Sequence, residues 1–141
     1  MRLLGVDLGT KTMGLAITDS LQIVASGLEN FYYDNNDLNI CVEKIKKIIS
    51  KYNDIGTIVI GYPLKLNGSK NERTYLVENF FTILKKNINN KILVVFHDER
   101  FTTKKATEIL KEQVKMKNSK IKKIKDKMSA VVILDEFMNK I

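Results

Sequence analysis

The chain has 141 residues, 44% of them hydrophobic, and a formal net charge of +8 at neutral pH. That length fills one hydrophobic core and excludes a two-lobed enzyme, so a single domain over residues 1 to 141 is expected. One cysteine and one histidine exclude an internal disulfide and a Cys/His zinc cluster, which leaves oxygen ligands for any metal.

The predicted elements begin with three short runs rich in Leu, Val and Ile: Arg2 to Asp7, Thr12 to Thr18 and Ile23 to Asn30. Gly9-Thr10-Lys11 and Asp19-Ser20-Leu21-Gln22 separate them, so they read as an antiparallel three-stranded meander. Leu38, Cys41, Val42, Ile45, Ile48, Ile49 and Tyr52 then recur at helical spacing, with Cys41 on the core side. Thr57 to Gly61 and Ile92 to Phe96 are unbroken apolar runs, which suit parallel strands buried on both faces. Between them Ser69 and Glu72 stand as a capping box, opening a helix that turns Leu76, Phe80 and Leu84 inward. A further helix is expected from Thr102 or Thr103, carrying Ala106, Ile109, Leu110 and Val114 inward. A last helix holds Ala130, Leu134, Phe137, Met138 and Ile141, and Ile121, Ile124 and Met128 allow it to extend backwards. The order β-β-β-α-β-α-β-α-α predicts an α/β fold: a mixed five-stranded sheet with helices on its faces.

The positive charge is uneven. Residues 1 to 103 carry 13 Lys and Arg against 11 acids; residues 104 to 141 carry 11 against 5. A basic face concentrates polyanions, which makes nucleic acid the leading partner, ahead of an acidic membrane surface. The competing reading is compositional: Lys outnumbers Arg 21 to 3, and most lysine runs are solvated surface. No apolar run reaches the ~18 residues that cross a bilayer, and Asp7 comes too early for a secretory leader. The expectation is a cytoplasmic protein with no membrane partner.

Chemistry in open α/β sheets gathers at the carboxyl ends of parallel strands. Asp7 ends the first strand, Asp98 and Glu99 end the Ile92 to Phe96 strand, and Asp126 precedes the last apolar helix. Acids sharing one cleft repel each other unless divalent cations neutralise them, and oxygen ligands select Mg²⁺ or Mn²⁺. Two such ions ~4 Å apart suit an in-line phosphodiester displacement, which is nuclease chemistry. Taken singly, Asp7 is equally well a turn acid and Asp126 a helix-start acid placed for the dipole.

The same residues carry a family resemblance. Gly5-Val6-Asp7-Leu8-Gly9-Thr10-Lys11 leads, with Gly14-Leu15-Ala16 and Asp19 after it. Gly61-Tyr62-Pro63-Leu64, Asn67-Gly68 and Asp98-Glu99-Arg100-Phe101-Thr102-Thr103 follow, and Asp126 with Ser129-Ala130-Val131-Val132-Ile133-Leu134 closes the series. In this order they resemble the YqgF family of Holliday junction resolvase-like proteins. The resemblance implies a ribonuclease H-like fold, maturation of the 5′ end of pre-16S ribosomal RNA, and a catalytic metal set of Asp7, Glu99 and Asp126. Asp98 is the second choice at the middle position, since neighbours on a strand face opposite ways. Where the family reads Pro-Leu-Asn-Met-Asp-Gly, this chain has Pro63-Leu64-Lys65-Leu66-Asn67-Gly68, and Thr12 replaces a common basic residue. These departures bear on substrate preference. Related resolvases take their second acid from the strand beside the first, whereas Gly61-Tyr62-Pro63 offers none.

Lys11 and Arg100 flank the expected cleft as phosphate holders, with ordinary salt bridges to Asp98 or Asp19 as the alternative. Thr10, Thr102 and Thr103 either donate to phosphate or cap. Lys120, Lys122, Lys123 and Lys125, within the segment from Lys115 to Lys127, would grip a nucleic-acid backbone. His97 is either a proton shuttle or a structural histidine, and Tyr62 either stacks on a base or packs on the next turn. Pre-16S rRNA is the expected substrate, branched DNA the alternative, and the protein a monomer or homodimer. Two other classes compete. Asp7-Leu8-Gly9-Thr10 before a hairpin also resembles the phosphate motif of actin-like ATPases, which would need dimerisation here. A non-catalytic nucleic-acid-binding factor in ribosome biogenesis or transcription would use the lysines alone.

Overall fold

The computed structural model describes residues 1–34, 37–98 and 118–139, with 118–127 as helix backbone. Strands β1 (Arg2–Leu8), β2 (Thr12–Thr18) and β3 (Ala25–Tyr32) form the meander. Helix α1 (Leu38–Tyr52), strand β4 (Ile55–Tyr62), helix α2 (Glu72–Asn87), strand β5 (Leu93–Asp98) and helix α3 (Asn118–Asn139) follow. The sheet order is β3-β2-β1-β4-β5, with β1 antiparallel to β2 and parallel to β4, and β4 parallel to β5. This is the expected mixed five-stranded sheet. The helix expected from Thr102 or Thr103 lies outside the described residues.

Strand β1 is central, so apolar side chains alternate onto two buried faces. Leu4, Val6 and Leu8 join Leu15, Ile58 and Ile60 under α1 and α2, where Cys41, Ile45, Val77, Phe80 and Leu84 meet them. Leu3, Ala16 and Val59 face the other way, against Ala130, Ile133 and Leu134 of α3. The approach of α3 is close: a Cβ on Gly5 would stand 2.6 Å from Leu134 Cγ and 3.0 Å from the Ala130 carbonyl oxygen. Only glycine admits the helix at that distance.

Local chemistry moved the start of β3 and the cap of α2. The third strand starts at Ala25 rather than Ile23, because the Asp19 carboxylate accepts the backbone N–H groups of Leu21, Ile23 and Val24. Those bonds close a turn, with Gln22 at φ 57°, and hold the Asp19 carboxyl below its ordinary value, Val24 contributing most. Asp19 is therefore occupied by its own loop. The capping box is Asn71 with Thr74, not Ser69 with Glu72. Asn71 Oδ1 accepts from the Thr74 N–H at 3.0 Å, and Thr74 Oγ1 accepts from the Asn71 N–H at 3.0 Å. Ser69 is engaged one turn earlier, donating N–H and hydroxyl to Asn67 Oδ1. Thr74 wins because it is buried and its hydroxyl also donates to the Pro63 carbonyl, a contact an exposed Glu72 side chain forgoes.

Candidate active site

The alternation that buries Val6 and Leu8 beneath α1 and α2 turns Asp7 to the α3 face at the carboxyl end of the central strand. Asp7 is only 8% exposed. The chain then turns sharply: the Gly9 N–H donates to the Thr12 carbonyl at 2.7 Å, leaving Thr10 and Lys11 exposed at the tip. Tyr33 fastens this turn from both sides. Its hydroxyl donates to the Gly9 carbonyl, and its N–H donates to the Lys11 carbonyl at 3.0 Å. Burial, with the nearby Cys41 adding to it, pushes the Tyr33 phenol up to about 12, so it remains a donor at neutral pH. Lys11, Tyr32, Tyr33 and Asp34 line an open groove of about 410 Å³ beside the tip.

A residue that sequence spacing did not single out completes this corner. Arg73, in the first turn of α2, reaches over the end of β1. Its Nη2 donates to Asp7 Oδ1 at 3.2 Å and to the Leu8 carbonyl at 3.0 Å. No periodicity links position 73 to position 7, but one signal existed. A helix that follows a parallel strand opens at the carboxyl edge of the sheet, where the acids were sought.

The remaining expected residues divide in two. Glu99 and Arg100 lie outside the described residues, as do the side chains of Lys120, Lys122, Lys123, Lys125 and Asp126. Position 126 is within α3, one helical turn before Ala130, whose carbonyl packs over Gly5. Asp98 closes β5 opposite Tyr62 in the register of β4. Its neighbours alternate: Phe96 packs against Tyr62 and Phe81, whereas His97 meets α3. By that alternation Asp98 belongs to the α1/α2 face, opposite Asp7.

His97 and Tyr62 have structural partners. The His97 ring, 6% exposed, places Nε2 3.1 Å from Glu136 Oε2. Tyr62 donates its hydroxyl to Glu78 Oε2 at 2.7 Å and packs on Phe96 with ring centroids 4.7 Å apart. Lys70 Nζ joins the same Glu78 oxygen at 2.8 Å.

Among the described residues no three His, Cys, Asp or Glu side chains gather as a metal centre. Of the trio Asp7, Glu99 and Asp126, Asp7 is the one with a described side chain, and it fits a hard divalent cation. It offers oxygen donors and is nearly buried at the carboxyl end of the central strand.

Sequence comparison supplies what this corner alone does not. Residues 1–140 match the family described as RuvX: Holliday junction resolvase. The chain belongs to that family. A relative from Ureaplasma parvum serovar 3, named "Putative pre-16S rRNA nuclease", is 54% identical over 144 residues, covering 99% of this chain and 97% of its own. One of the same name from Mycoplasmopsis pulmonis is 40% identical, covering 99% and 93%. Among solved structures, T. thermophilus RuvC in complex with Holliday junction substrate aligns with a TM-score of 0.58 at 14% identity, over 99% of this chain and 96% of that one. The fowlpox virus Holliday junction resolvase aligns at 0.55 and 15% identity over both whole chains. At such identities the likeness establishes the fold, which is the ribonuclease H-like fold of the resolvases.

Proposed function

We propose that this RuvX-family protein is a divalent-cation-dependent nuclease acting on structured nucleic acid, with the 5′ end of pre-16S ribosomal RNA as its foremost substrate. The observation that carries the reading is Asp7, a nearly buried carboxylate at the carboxyl end of the central strand of a resolvase-type sheet. The relatives' names favour ribosomal RNA. The family description favours branched DNA as the second reading.

In this proposal Asp7, Glu99 and Asp126 hold a pair of Mg²⁺ or Mn²⁺ ions. When bound, the ions supply Lewis acidity to the scissile phosphate and to the attacking water. The chain's own part is placement. Asp7 is held at the edge of β1 by Arg73, and the Tyr33-anchored turn presents Thr10 and Lys11 to a phosphate backbone. Arg100 and the lysines at 120, 122, 123 and 125 extend the grip in sequence-independent fashion, as phosphate contacts do.

The test pairs wild type with Asp7→Asn on a pre-16S rRNA fragment and on a four-way DNA junction, each with Mn²⁺ or Mg²⁺. Cutting by wild type and loss of cutting with retained binding in the variant is the expected result. Equal degradation by both proteins overturns the assignment, and preference for the junction selects the second reading.

A further inference from the structure

We propose that Arg73 is a positioning residue for Asp7, setting both its orientation and its hold on a divalent cation. The inference rests on the nuclease reading above and adds a residue from the opposite layer of the protein. Helix α2 packs on the face lined by Leu4, Val6 and Leu8, yet Arg73 passes the end of β1 to a carboxylate that belongs to the α3 face.

Two features separate this pair from an ordinary surface ion pair. First, a single guanidinium nitrogen donates to both the Asp7 side chain and the Leu8 carbonyl, so the acid is referenced to its own backbone. A carboxylate restrained in this way has less freedom to lose when it receives a ligand, and small misplacements of a reacting group cost large factors in rate. Second, Asp7 is 10% exposed in its side chain while Arg73 is 40% exposed, so the charge falls on a poorly solvated acid where screening is weak. The Arg73 guanidinium is permanently charged. It compensates the carboxylate when no other cation is near, and it repels an arriving divalent ion.

The N-terminal turn of α2 is built to hold this arrangement. Asn71 and Thr74 cap the helix reciprocally, and the Thr74 hydroxyl donates to the Pro63 carbonyl, tying the turn that bears Arg73 to the end of β4. The bonds from Arg73 thus connect one anchored element to another.

Charge and geometry are separable by substitution. Arg73→Gln removes the charge and the fork; Arg73→Lys keeps the charge without the fork. Mn²⁺ affinity is read by electron paramagnetic resonance titration, turnover on the cleaved substrate at saturating Mn²⁺, and folding by thermal melting. Removing the positive charge that stands 3.2 Å from Asp7 Oδ1 is expected to tighten Mn²⁺ binding by Arg73→Gln about tenfold or more. Turnover of the same variant is expected to fall roughly tenfold or more as Asp7 loses its placement. Arg73→Lys is expected to bind Mn²⁺ as wild type does and to turn over between the two. A purely structural arginine would lower melting temperature in both variants and leave Mn²⁺ affinity unmoved. Unchanged or weaker Mn²⁺ binding by folded Arg73→Gln, or wild-type turnover, overturns the inference while leaving an active wild type as a nuclease. A wild type that neither binds Mn²⁺ nor cuts overturns the nuclease reading and this inference with it.

Discussion

The imidazole Nε2 of His97 and the carboxylate Oε2 of Glu136 meet at 3.1 Å, joining edge strand β5 to helix α3 across the sheet. His97 is almost fully buried and Glu136 about one-third exposed. A ring held in this way serves as a strut between layers. His97→Gln should therefore lower stability by about 1–3 kcal/mol, the usual cost of breaking a buried polar contact, while cleavage per folded molecule stays within a few-fold of wild type. A hundredfold loss of cleavage at unchanged melting temperature would reinstate the proton-shuttle role.

Helix α3 owes its closeness to the sheet to a missing side chain. A Cβ at Gly5 would fall 2.6 Å from Leu134 Cγ, so Gly5→Ala is expected to destabilise by about 1–3 kcal/mol through overpacking. Adding Leu134→Ala should recover part of that loss, making the double variant less destabilised than the two single effects combined. Chemical denaturation of the four proteins measures the coupling; strict additivity would mean the helix sits off Gly5.

The Lys70, Glu78 and Tyr62 cluster predicts a pH window. Hydrogen bonds from Lys70 and then Tyr62 hold the Glu78 carboxyl below its ordinary 4.5, and the same bonds raise Lys70 above 10.5 and Tyr62 above 10.0. A lowered acid stabilises the fold above its unfolded value and loses that contribution as pH falls through the folded one. Raised Lys70 and Tyr62 contribute below their unfolded values and lose it as pH rises through the folded ones. Glu78→Gln should thus lower melting temperature modestly between about pH 5 and pH 10, with the gap to wild type closing on either side. A gap independent of pH would assign the effect to packing.

The lysines at 120, 122, 123 and 125 are proposed to bind phosphate. Replacing all four by alanine should weaken binding to RNA and DNA alike. On duplex DNA it should also flatten the plot of log affinity against log salt, by up to about 0.9 for each phosphate that a lysine had neutralised. Equal slopes for both proteins would return these lysines to the solvated surface.

What the sequence determined was whatever depends on short-range pattern. Continuous apolar runs gave the parallel strands, 3.6-residue spacing gave α1 with Cys41 inside, and Asp7 was singled out because it ends an apolar strand just before Gly9. Boundaries set by one side chain's choice of partner were not legible this way. The Asp19 carboxylate delays β3 by taking the backbone N–H groups of its own exposed loop, and Asn71 takes the cap from Ser69 because its partner Thr74 is buried and bonded to Pro63; each is a choice among nearby donors and acceptors that spacing does not encode. Only the tertiary structure brought Arg73 to Asp7, 66 positions away, since that pairing follows from strand order and the landing point of α2. It likewise engaged His97 with Glu136 and Tyr62 with Glu78, through layers that periodicity describes one at a time.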